Sequence, residues 1–286
     1  MQVPSRGARR RLLGEAFEQG VRYFDVARMY GLGAAEGELG SFARGRREEL
    51  TIATKFGIDP GAGVGRLARF QAPARAALAR MPRLRAAVKR RQSSFHQARR
   101  YDGAGARVSL EKSLRELGTD YVDVFFVHGP EAGDEVDLEG IGATMGELRQ
   151  AGLIRAWGFA GDPGPCIRLG EATADKQIVL QIRDEIFSSF LSKVPPGTPV
   201  VSFGVIGEAA RRACDLLDAS AEEVAALLLQ DAIERNAGGR VLFSTTRPER
   251  IRAAVDAAAA LPGQAAQERL ARFRERVGAG LGEGRG

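Results

Sequence analysis

The hydrophobic positions of this chain fall into short β-rich runs separated by longer stretches of helical period. The runs are residues 21–26, 49–54, 121–127, 154–160, 178–182, 199–205 and 240–245. Between them, residues 5–19 carry Leu12, Leu13 and Phe17 on one face of a predicted helix. Residues 108–117 put Leu110, Leu114 and Leu117 at i, i+4, i+7, and Gly118 stops that helix. Ser220 with Glu223 makes a capping box ahead of Val224, Leu227 and Leu228. Thr246 with Glu249 makes another, with Pro248 in the first turn. Strand alternating with helix predicts an α/β protein built on a parallel sheet, here a single (β/α)8 TIM barrel over residues 1–286. Seven strands are counted where such a barrel has eight. The chain starts in the helix that leads to the run 21–26, so the expected barrel lacks its first strand.

Two stretches break the alternation. Residues 58–106 form a long arginine-dense insertion after the second run, expected on the rim where strand C-termini face. Such a loop is read either as a lid or substrate loop or as a solvated elaboration. The tail 278–286, GAGLGEGRG, is expected to be disordered.

Composition narrows the classes. Hydrophobic residues make up 44% of the chain, enough for a sizeable core. No stretch approaches the roughly 18 apolar residues of a membrane span, and the N-terminus lacks the apolar core of a signal peptide. Two cysteines without metal spacing, Cys166 and Cys214, argue against a disulfide scaffold or a zinc site and fit a reducing cytoplasm. Formal net charge is +6 and is carried by arginine, since only five lysines occur. No nucleic-acid recognition motif accompanies that charge, which points instead to a solvated surface or a pocket for an anionic cofactor.

The chemistry lies at the ends of the runs. Asp25 ends RYFD, Tyr30 follows in RMYG, Lys55 closes TIATK and His128 closes DVFFVH. In a β/α barrel these ends share one rim, where active sites are built. A tyrosine hydroxyl is a proton donor with an ordinary pKa near 10, and a neighbouring ammonium is expected to lower it. Asp25 would hold Lys55 charged, and His128 would hydrogen-bond a substrate oxygen. Singly, each residue has a plain structural reading as a cap, a rim contact or a core histidine.

Together, the segments resemble a family. GVRYFDVARMYGLGAAEGELG, TIATKFG and SLEKSLRELGTDYVDVFFVHGPE look like the signature segments of the aldo-keto reductases, over roughly residues 5–260 apart from the insertion. The resemblance implies a (β/α)8 barrel binding NADPH, with Asp25, Tyr30, Lys55 and His128 as catalytic tetrad and Tyr30 as general acid. The substrate would be a small carbonyl compound, reduced from aldehyde or ketone to alcohol. The segment VLFSTTRPERIRAA resembles the family's phosphate-binding end. It assigns Ser244, Thr245, Thr246, Arg247 and Arg250 to the cofactor, helped by a helix N-terminus that offers N–H groups to a phosphate. Phe203 takes the place of the aromatic stacked on the nicotinamide, and Gln181 that of the carboxamide contact.

Three positions depart from the family pattern. Ala160 and Gly161 replace a Ser-Asn pair expected at the carboxamide, and Ala253 replaces an adenine-contacting asparagine. Two other readings therefore stay open: a sugar or alcohol dehydrogenase using NAD(P)+, and a nucleotide-binding sensor or scaffold with little turnover.

Overall fold

In the computed structural model, residues 5–59, 99–185, 190–207, 210, 213–214, 219–260 and 264–282 are described. Most of the arginine-dense insertion, residues 60–98, lies outside the described residues, as do residues 283–286 of the tail. The chain divides into two compact units. One comprises Met1–Arg10 and Tyr23–Trp157, the other Arg11–Arg22 and Gly158–Gly286.

After the opening helix α1 (Arg6–Glu18), the first unit carries β1 (Tyr23–Asp25), α2 (Ala35–Ala43), β2 (Thr51–Phe56), β3 (Arg100–Tyr101), α3 (Gly103–Leu117), β4 (Val122–His128), β5 (Glu135–Val136) and α4 (Leu138–Gln150). Strands β1, β2 and β4 pair in parallel, with Asp25 opposite Ala53 and Lys55 opposite Phe126. Their apolar side chains are almost fully buried, as the near-continuous hydrophobic runs require. Asp102 caps α3 by accepting from the Gly105 N–H at 2.7 Å, and Gly118 ends it at φ 63°, so the helix starts before and stops at the expected places. The two-residue strands β3 and β5 form a separate parallel pair that the hydrophobic pattern does not announce.

The opposite ends of these strands are tied by one buried carboxylate. Asp123 accepts from the Arg47 guanidinium at 2.8 Å, from the Ile52 N–H at 2.8 Å and from Arg155 at 2.9 Å. Both arginines also lie over the Tyr121 ring, at 3.8 and 4.5 Å from its centroid.

Strand β6 (Ile154–Gly161) contains the boundary between the units. The second unit continues with α5 (Pro163–Ala172), β7 (Val179–Arg183), β8 (Val200–Phe203), α6 (Ala221–Arg235), β9 (Arg240–Val241), α7 (Pro248–Ala259) and α8 (Gln264–Gly282). Here β6, β7, β8 and β9 are again parallel neighbours. Helix α6 buries Val224 and Leu228 against Leu270 and Phe273 of α8, and Leu229 and Ala232 against Val205 and Ala254. The Ser220–Glu223 capping box is present. Arg235 spans α6 and the end of β7, bonding the Asp184 carboxylate at 2.7 and 2.9 Å and Asp231 at 2.7 Å.

All seven expected strands form, and among the described residues none precedes α1. Two expectations need correction. The second capping box does not form: the cap of α7 is Arg247, without a side-chain bond, because the Thr245 hydroxyl accepts from the Arg247 N–H at 3.1 Å and sets the helix start one residue later. Residues 278–282, expected in a disordered tail, are the last residues of α8. Asp123→Ala should lower unfolding free energy by about 3 kcal/mol, since it strips partners from two arginines and a buried N–H. Urea denaturation measures this, and a loss within 0.5 kcal/mol, about the size of an ordinary surface change, would contradict it.

Candidate active site

Strand parity builds the polar cluster. Side chains two apart share a face, and directly paired residues share it too. Asp25 pairs with Ala53, Lys55 is two residues on, Lys55 pairs with Phe126, and His128 is two residues beyond that. Asp25, Lys55 and His128 therefore project from one face of the sheet, at its C-terminal edge. Tyr30 opens the 3-10 turn Tyr30–Gly33, anchored by its N–H on the Ala27 carbonyl at 2.9 Å.

The four side chains meet in the first unit. The Lys55 ammonium donates to both Asp25 oxygens, at 2.5 and 2.6 Å, and to the Val26 carbonyl at 3.1 Å. Its Nζ lies 5.1 Å from the centroid of the Tyr30 ring. The Tyr30 and His128 rings meet edge to face, with centroids 5.9 Å apart at 85°. The structure thus brings together all four residues expected there.

Their protonation follows from burial. Lys55, only 2% exposed, is pulled below its ordinary value by desolvation, which the Asp25 carboxylate opposes. His128 is pushed down to about 3, first by burial and then by the positive charges of Lys55 and Arg99, so the imidazole is neutral across the working range. Its Nδ1 is buried without a hydrogen-bond partner among the described residues. Tyr30 departs from expectation. Lys55 does not draw the hydroxyl down; burial, then the Asp25 carboxylate, raise its pKa. The ammonium's field is largely cancelled by the carboxylate it holds, and the phenol stays protonated.

Supporting residues escaped the sequence reading. Glu36 of α2 is buried and accepts from the Thr54 hydroxyl at 2.6 Å, one residue before Lys55. Burial raises its pKa, while its negative charge favours the Lys55 ammonium. Tyr101 of β3 donates to the His128 carbonyl at 2.9 Å. Its ring lies against Gly57, where a Cβ would come within 2.1 Å of Cε1 and where φ is +106°. Only glycine fits that approach.

In the second unit, pairing puts Ala160, Gln181, Val201 and, two residues on, Phe203 on one face. Gln181, the middle residue of β7, is buried. Arg183 pairs with Phe203, and its guanidinium lies 5.4 Å from the ring centroid. Ser244, Thr246, Arg247 and Arg250 are exposed on and before the first turn of α7, and Thr245 is half-buried. Arg250 has a stretched ion pair with Glu222 at 3.9 Å. The first-turn N–H groups of α7 receive no cap from the Arg247 side chain. No group of metal-ligating side chains is found among the described residues. No helix among them is long and apolar enough to cross a membrane.

A parallel α/β fold with a polar cluster at strand ends defines a class, and comparison identifies it. The sequence model of the Aldo/keto reductase family matches residues 4–165, more than half of the chain. The chain belongs to the aldo/keto reductase family. It is 27% identical over 177 residues to a D-threo-aldose 1-dehydrogenase from a Pseudomonas species, covering 59% of this chain and 48% of that one. With a 6-dehydroglucose reductase of Agrobacterium fabrum it shares 29% identity over 147 residues, 50% of this chain and 39% of the other. The chain thus spans about half the length, or less, of these curated relatives. Among solved structures, an aldo-keto reductase from Klebsiella pneumoniae in complex with NADPH superposes with a TM-score of 0.65 at 20% identity, covering 94% of this chain and 85% of that one. The fold is therefore of the (β/α)8 class. Residues 4–165 include the Asp25–His128 cluster and exclude every expected cofactor contact.

The low pKa of His128 has a sign that can be tested. Between its ordinary value of 6.5 and about 3, the unfolded chain binds a proton at this residue and the folded chain does not. Stability contributed by the neutral imidazole is therefore lost as pH falls through that window. Urea midpoints of the wild type should fall more steeply than those of His128→Asn between pH 6.5 and pH 4, and parallel curves would contradict the assignment.

Proposed function

We propose that this protein reduces an aldehyde or ketone to the alcohol with NADPH as reductant, Tyr30 acting as general acid. The observation that carries this reading is the Asp25–Lys55 pair packed beside Tyr30 and a neutral His128. A proton donor must hold its proton until the carbonyl oxygen gains negative charge. The raised pKa of Tyr30 meets that condition. As the proton leaves, the developing phenolate is stabilised by the Lys55 ammonium, which Asp25 holds in place. The neutral imidazole of His128 has one N–H to donate to the carbonyl oxygen, fixing its position without competing as an acid.

When bound, NADPH would supply the hydride, which no side chain can provide. The residues of the second unit fit such a ligand. The start of α7, with Ser244, Thr245, Thr246, Arg247 and Arg250, offers hydroxyl and guanidinium donors to phosphate, while its Arg247 and Arg250 N–H groups are bonded to Thr245 and to the Arg247 carbonyl. Two arginines there favour a 2′-phosphate and hence NADPH over NADH. Gln181 and Phe203, on a shared face, would hold the carboxamide and the ring of the nicotinamide. The Klebsiella relative's complex with NADPH supports the same choice.

Oxidation of an alcohol would run through the same groups in reverse, and one relative is named as a dehydrogenase. The direction is set by the cofactor ratio and the substrate. A sensor with little turnover would bind NADPH without hydride transfer, which a single-turnover assay against an aldehyde panel detects.

Tyr30→Phe should reduce kcat for aldehyde reduction by at least about 100-fold, with NADPH affinity nearly intact. Stopped-flow oxidation of NADPH and fluorescence titration read the two quantities, and turnover close to wild type would remove Tyr30 from its role. Replacing Arg247 and Arg250 together by Ala should weaken NADPH about tenfold, roughly 1.4 kcal/mol, and NADH much less. Equal losses for the two nucleotides would contradict the 2′-phosphate contact.

A further inference from the structure

The first unit holds a cation beside the proton-donating cluster that the reduction scheme does not use. Arg99 directly precedes β3. Its Nη1 donates to the Gly129 carbonyl at 3.3 Å and to the Tyr101 hydroxyl at 3.4 Å. Tyr101 in turn donates to the His128 carbonyl at 2.9 Å, so Arg99 is joined to the last residue of β4 through one side chain. The guanidinium's charge reaches the His128 ring and disfavours a proton there.

The cations of this corner differ in how closely an acid matches them. Lys55 is matched by Asp25 and Arg28 by Asp59, at 2.5 Å each. Among the described residues the Arg99 guanidinium bonds only neutral acceptors and no carboxylate lies within ion-pair distance, while Asp134 and Glu131 favour its charge from farther off. Asp134, the acid beside it in the chain's folding, spends its oxygens on backbone N–H groups, those of Arg99 at 2.7 Å and Glu131 at 2.8 Å. A guanidinium carries five N–H donors, and among the described residues both bonds that the Arg99 guanidinium makes come from one nitrogen. The remaining edge matches a carboxylate's two oxygens. Tyr101, wedged against Gly57 and bonded to the strand end, fixes where Arg99 stands, so the charge is pre-placed.

We propose that Arg99 is the anion-binding residue of this carbonyl site, and that the substrate taken there is an aldehyde or ketone bearing a carboxylate. This rests on the reductase reading above and names its substrate class. The carbonyl oxygen would face Tyr30 and His128 while the carboxylate pairs with Arg99. The arginine is a specificity residue, outside the proton transfer.

The test compares 4-carboxybenzaldehyde and 3-carboxybenzaldehyde with their methyl esters, which share the frame and lack the charge. In the full chain with NADPH, at least one acid should exceed its ester by about tenfold or more in kcat/KM, the size of one exposed charge-assisted pair. Arg99→Met should erase that ratio, chiefly through KM for the acid, and Arg99→Lys should restore part of it. Binding of 4-(hydroxymethyl)benzoate and 3-(hydroxymethyl)benzoate, followed by calorimetry, separates this inference from the reductase reading. Absence of hydride transfer to every probe, with binding that Arg99→Met abolishes, overturns the reductase and supports the anion site. Acid and ester turned over equally, or a preference that survives in Arg99→Met, overturns the anion site and leaves the reductase standing.

Discussion

A lysine ammonium with 2% of its surface exposed is the constraint from which the first unit follows. A charge taken from water is tolerated only with a partner of opposite sign in good geometry. Asp25 supplies it with both oxygens, and the Val26 carbonyl takes the third donor. That requirement fixes the register of β1 on β2, because a slip of one residue would turn Asp25 to the other face. The register of β2 on β4 then places His128 on the same face as Lys55. Burial and this pair together set protonation around it. Burial, with the positive charges of Lys55 and Arg99, keeps His128 neutral, and burial, with the Asp25 carboxylate, raises the Tyr30 pKa. A protonated phenol thus stands beside a neutral imidazole.

The ends of the strands divide the work. At one end Asp123 gathers two arginines and a backbone N–H, an arrangement that serves packing alone. At the other lies the polar cluster, and its supports are indirect: Glu36 through Thr54, and Tyr101 through the backbone of His128. A side chain that bonds a carbonyl positions a residue without altering its ring. His128 is therefore held at its carbonyl while its Nδ1 has no partner among the described residues.

What was legible in the sequence follows from this division. The seven strands were readable because buried parallel strands are continuous apolar runs, and the four site residues because each closes or follows such a run. The pairing of Arg100–Tyr101 with Glu135–Val136 was not, since two residues carry no period. The start of α7 was misread because Ser, Thr and Arg in succession offer several caps. The choice fell to a Thr245–Arg247 contact that depends on backbone geometry. The direction of the Tyr30 shift was also misread. Spacing shows a lysine near a tyrosine but does not show that the lysine's charge is already spent on a carboxylate.

The second unit poses a different balance. Ala160, where the resemblance leads to expect a hydrogen-bonding side chain, shares a face with Gln181 and Phe203, and Arg183 lies 5.4 Å from the Phe203 ring centroid on that face. A planar ring that stacks on that face of Phe203 would first displace the guanidinium. A cation over an aromatic ring at an exposed position contributes about 0.5–1 kcal/mol, and Arg183 has Asp162 at 3.6 Å and Glu185 at 4.0 Å to receive it. The displacement is therefore cheap, less than a factor of ten in affinity. Gln181, buried and rigid on its strand, is left as the principal polar contact for an amide on this face. Orientation of a nicotinamide here would depend on that one residue more heavily than where Ser and Asn flank it.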